Sequence, residues 1–91
     1  MWMLTHDYVS TDAPEGRSVS VCSRNFSEEK VMQLTHRFRL LNDDGQIHGE
    51  GVANSCDDDK AFGPLDDFGQ GAWGCTAIEY WSESSQRWEM L

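Results

Sequence analysis

The chain has 91 residues, 38% of them hydrophobic, a mean hydropathy of −0.60 and a net charge of −9. Its length suits one small domain, 1–91, and its four Trp and four Phe supply enough apolar area to hold a small core against the acid excess. Residues 1–42 balance five acids against five bases, whereas residues 43–91 set eleven acids against Lys60 and Arg87 alone, which argues against direct binding to nucleic acid or an anionic membrane and permits docking on a basic protein surface.

Residues 2–9 read as a strand. The start, Met1-Trp2-Met3-Leu4, is apolar but short and lacks a basic flank, which argues against a signal peptide. No stretch reaches the ~18–20 apolar residues of a membrane span. Pro14 and Gly16 mark residues 10–17 as a loop. Ser18-Val19-Ser20-Val21-Cys22 alternates polar and apolar, the period of a half-buried strand. Asn25 with Glu28 resembles a capping box, so residues 25–41 read as a helical turn near 26–31 followed by a strand over about 33–42.

Asn42-Asp43-Asp44-Gly45 sits between two alternating runs and predicts a hairpin. A two-residue turn at Asp44-Gly45 pairs Arg39 with Glu50, Phe38 with Gly51 and Leu40 with Gly49. Phe38, Leu40, Ile47 and Ala53 then share the core face, and Arg37, Arg39, His48 and Glu50 the other. Further on, Asp57-Asp58-Asp59 precede a short helix with Pro64 as its first residue, Asp66 and Asp67 in its first turn where they meet the dipole, and Gly69 or Gly71 as the stop. Residues 75–91 read as a closing hairpin. An odd loop centred on Ser84 gathers Ile78, Tyr80, Trp88 and Met90 on one face and leaves Trp81 opposite Arg87, a cleaner segregation than the even loop that pairs Trp81 with Trp88. The expected architecture is α+β: a mostly antiparallel sheet built from two hairpins with one or two short helices.

Motifs for chemistry are weak. Gly69-Gln70-Gly71-Ala72-Trp73-Gly74 matches G-x-G-x-x-G by letter, but it follows a helix instead of opening one, as a dinucleotide site requires. Asp57-Asp58-Asp59 fails the spacing of a calcium loop, with Phe62 and Phe68 where Gly and an acid are needed. Cys22, Cys56, Cys75, His6, His36 and His48 contain no close ligand pair of the kind zinc sites use. The odd cysteine count reads as free, largely buried thiols in a reducing cytosol, with Cys22 and Cys75 as core thiols. No cofactor and no catalytic set is expected.

The pattern therefore points to a non-catalytic, cytoplasmic interaction module binding a basic surface of a partner protein. Its sharper form is a nucleic-acid mimic that inhibits a DNA-processing or defence enzyme. The candidate contact residues are Asp43, Asp44, Asp57, Asp58, Asp59, Asp66, Asp67 and Trp81. Trp81 is either covered by a cation–π contact or an anchor in an interface. The competing reading is a small-ligand module or small enzyme with a pocket lined by Trp73, Tyr80 and Trp88.

Overall fold

A computed structural model describes residues 1–9, 16–56 and 59–91. Six strands form an antiparallel sheet: β1 (Trp2–Asp7), β2 (Arg17–Cys22), β3 (His36–Leu41), β4 (Ile47–Ala53), β5 (Ala77–Ser82) and β6 (Arg87–Met90), in the order β2-β1-β4-β3-β5-β6. The helical content is small, so the chain is mostly sheet. One 3-10 turn, Glu28–Gln33, links β2 to β3. Another, Asp59–Phe62, leads into a π turn over Leu65–Gly69 that runs directly into one α turn, α1, over Gln70–Trp73.

The core lies between this bent helix and one sheet face. Trp2, Leu4, Phe38, Leu40, Ile78 and Tyr80 from the strands meet Ala61 and Leu65 from the helical layer, with Phe62, Phe68 and Trp73 packed against them. Two glycines of β4 allow close approach, Gly51 within the sheet and Gly49 to the helical layer. A Cβ on Gly51 would collide with the Phe38 ring and the Met3 carbonyl, and one on Gly49 with the ring of Trp73. The Phe38–Gly51, Arg39–Glu50 and Leu40–Gly49 pairs form as the hairpin pattern requires.

The turn itself differs. Gly45 N–H donates to the Asn42 carbonyl and Asn42 N–H to the Gln46 carbonyl, so the loop holds three residues, Asp43, Asp44 and Gly45, with Gly45 at φ 78°. This is a turn closed by a left-handed residue. The odd loop would reverse every face of β4. A register shift between Leu40 and Leu41, with His48 as the extra residue, restores it. As a result Ile47 pairs with Leu41 and stays outside the core cluster. The His48 ring, which simple alternation puts on the outer face, instead reaches the buried thiol of Cys75.

The closing hairpin takes the other parity. Trp81 pairs with Trp88, Tyr80 with Glu89 and Ser82 with Arg87, so Trp81 does not face Arg87. Apolar segregation does not set this register, because β6 is the sheet edge and Arg87 and Glu89, though on the core side, remain exposed there. The two indoles gain more from each other on the outer face.

Three smaller expectations also change. Ser27, not Asn25, precedes the first 3-10 turn, and it makes no side-chain cap; Asn25 accepts from the Ser23 hydroxyl instead. The bent helix passes through Gly69 and Gly71 and stops at Gly74, whose φ of 65° ends it in the left-handed region. Cys22, on edge strand β2, is exposed, while Cys56 is half-buried and Cys75 fully buried, and no disulfide forms among the described residues.

Candidate functional site

The acids named from the sequence fall into two described groups. Asp43 and Asp44 are exposed at the tip of the β3–β4 hairpin, beyond the sheet end where Asp7 pairs with Gly49. Asp59, Asp66 and Asp67 are exposed on the helical layer. They line a groove at the opposite end, where Trp2 pairs with Ala53. Asp57 and Asp58 lie outside the described residues. Among the described residues, Asp43, Asp44, Asp66 and Asp67 enter no ion pair, and the two pairs that form are Arg17–Asp7 at 3.2 Å and Arg39–Glu79 at 2.6 Å. The acids therefore stay solvated at the surface.

The groove occupies about 790 Å³ between the start of β1, the segment after β2 and the helical layer. Ser23 shapes one wall. Its hydroxyl accepts from the Trp2 backbone N–H at 3.1 Å and donates to Asn25 Oδ1 at 2.7 Å. Trp2 and Phe68 form the apolar floor, their ring centroids 6.3 Å apart. Asp66 and Asp67 stand in the first turn of the bent helix, and Arg24 and Lys60 also reach the rim.

Trp81 lies on the opposite sheet face. Its ring meets Trp88 edge-on at 5.6 Å. The Arg37 guanidinium sits 5.9 Å from the Trp81 centroid and 5.3 Å from that of Trp88. Arg39 sits 4.4 Å over Trp88 while its Nε donates to Glu79. The cation covering Trp81 thus comes from β3, across the sheet, and only the strand order could have shown it. Nearby, the Tyr8 phenol is pushed above its usual range by burial and then by the Glu50 carboxylate, with Arg37 opposing.

The aromatic set proposed for a pocket is not assembled. Trp73 packs over Gly49 and edge-on against Phe68, at 4.9 Å. Tyr80 is buried with its hydroxyl donating to the Ala61 carbonyl at 2.7 Å. Trp88 belongs to the other sheet face, paired with Trp81. A Cys–His contact does occur, with Cys75 Sγ 3.6 Å from His48 Nδ1. Burial pushes that thiol up to about 11, which removes the thiolate a nucleophile needs near neutral pH. Among the described residues no three His, Cys, Asp or Glu side chains converge as metal ligands, and no helix is long and apolar enough to cross a membrane.

In comparisons with known proteins, no protein-family model, no curated protein and no solved structure matches this chain.

Proposed function

We propose that this chain is a small interaction module that docks on a basic surface of a partner protein without carrying out chemistry itself. The observation that carries this reading is the placement of its acids. Asp43, Asp44, Asp66 and Asp67 are exposed, unpaired among the described residues, and held at opposite ends of the sheet. Solvated acids contribute to a long-range field with little desolvation cost in the free protein, and such a field raises association rates. Two separated groups support two points of contact. A phosphate mimic calls for a continuous row of charge, so the described acids favour the general docking form over the mimic. Trp81 and Trp88, bracketed by Arg37 and Arg39, offer an aromatic ledge on a separate face.

The test uses a partner recovered from native lysate at low salt. Its association rate should fall steeply as ionic strength rises, because exposed charges are screened over about 8–10 Å in physiological salt. The double variants Asp43→Asn/Asp44→Asn and Asp66→Asn/Asp67→Asn should each slow association. A partner indifferent to salt and to both variants would remove the electrostatic reading.

A further inference from the structure

Strand pairing lays out the sheet face away from the core in rows. One row runs Cys22, Met3, Val52, Arg37, Trp81, Trp88 across the six strands. The next carries His6, Glu50, Arg39 and Glu79. The described helical turns leave this face open. The bent helix packs on the other side, and the Glu28–Gln33 turn buries no residue. Two arginines and two glutamates cancel across these rows, so the net charge of −9 resides elsewhere on the chain. A second copy approaching an acid-rich surface is repelled, whereas over this face it meets no net charge.

We infer that this face binds a second copy of the chain, sheet against sheet, about a twofold axis running along the strands between β3 and β4. Such an interface must be self-complementary, and these rows are. The axis sets each residue of one copy against the residue equally far beyond the axis in the same row of the other. Glu50 then falls opposite Arg39, His6 opposite Glu79, Met3 opposite Trp81, and Val52 opposite the stem of Arg37. The charges are free to meet. Arg39 Nε donates to Glu79, and its guanidinium keeps further N–H donors. Glu50 and Arg37 enter no ion pair among the described residues. Six strands spaced about 4.8 Å and up to about 20 Å long span roughly 550 Å² before side-chain relief is counted, against about 800 Å² per partner in a standard stable interface. The dimer gives the Trp81–Trp88 ledge its occupant. It leaves the docking role intact, since the acids of the helical layer face outward on both copies.

Sedimentation equilibrium of the full chain over a range of concentrations tests the association, with a species of twice 10.4 kDa expected at the upper end. Val52→Lys sets an ammonium against Arg37 of the second copy and should weaken the dimer by more than about tenfold, since like charges across an interface are strongly disfavoured. Glu50→Gln, a conservative change, should weaken it several-fold, so the test holds even where Val52→Lys perturbs the sheet. The register is read by paramagnetic broadening in a mixed NMR sample. One copy carries a nitroxide on the exposed Cys22, with Cys56→Ser to leave Cys75 buried as its other thiol. The other copy carries nitrogen-15 and Cys22→Ser, and its Trp88 indole signal is assigned through Trp88→Phe. Within one chain Cys22 and Trp88 lie at opposite sheet edges, about 24 Å apart, but across the axis they face one another. Broadening should therefore fall on the Trp88 indole N–H. A monomer at every concentration, a dimer indifferent to both substitutions, or broadening that misses Trp88 would overturn the inference. The docking function, read from the salt dependence of a partner, would stand in each case.

Discussion

Gly45 shows how much one backbone angle decides. Its φ of 78° closes the β3–β4 loop, and nothing lies within 4 Å of the place where a Cβ would stand. Any penalty for a side chain there is therefore conformational and not steric. Gly45→Val should destabilise the protein by more than ~1 kcal/mol in urea unfolding, since a β-branched residue is strained at positive φ; Gly45→Asn should cost less, because Asn tolerates that region. Cys75 gives a residue-scale prediction of another kind. Burial raises its thiol from 9.0 to about 11 in the folded chain, so above about pH 9 the unfolded chain loses a proton that the folded one keeps. Stability should fall as pH rises from 9 to 11 and level off beyond. Tyr8, also raised, adds to the decline at the upper end. Replacing Cys75 with Ala should flatten the pH 9–11 stretch in melts recorded across that range.

At the scale of elements, the β5–β6 hairpin is held by side chains on the face away from the core. Trp81, Trp88, Arg37 and Arg39 form a stack spanning β3, β5 and β6. A double-mutant cycle of Trp81→Ala and Trp88→Ala should give a coupling of about 0.5–1.5 kcal/mol, the range for edge-on aromatic pairs. Trp81 and Arg87 should show none, and a Trp81–Arg87 coupling larger than the indole coupling would restore the odd-loop register. The contrast between the hairpins explains what could be read ahead of the structure. Around Phe38 and Leu40 both strands are covered, so alternation dictated the pairing and the Phe38–Gly51 register held. The three-residue loop and the His48 bulge cancel one another, and the sequence carries no separate mark of either. At the edge strand alternation loses its force, because Glu89 can sit on the core side and still meet water. Of the candidate site, the exposed acids were legible from their turn and helix-start positions. The groove was not, since it joins Trp2, Gly63 and Asp67, which only the packing of β1 under the helical layer brings together.

For the whole molecule, the charge that supports docking also opposes folding. A net charge of −9 on 91 residues repels itself more strongly in the folded chain than in the expanded one, and only two ion pairs form among the described residues. Raising sodium chloride from low to physiological concentration should therefore raise the melting temperature, as screening weakens repulsion more than it weakens the Arg39–Glu79 pair, whose side chains are largely shielded. The two acidic groups should respond differently to neutralisation. Asp43→Asn/Asp44→Asn removes charge from an exposed turn and should hold or raise stability at low salt. Asp66→Asn/Asp67→Asn relieves the same repulsion but removes anions from a helix's first turn, where each contributes roughly 0.3–1 kcal/mol, so its net effect should lie near zero or slightly below. Melting curves of both variants at two salt concentrations separate these terms. Stability that falls with added salt, or a clear loss in the hairpin-tip variant, would mean that the acids are structural partners in the fold. The proposed docking role would then lose the solvated charge on which it depends.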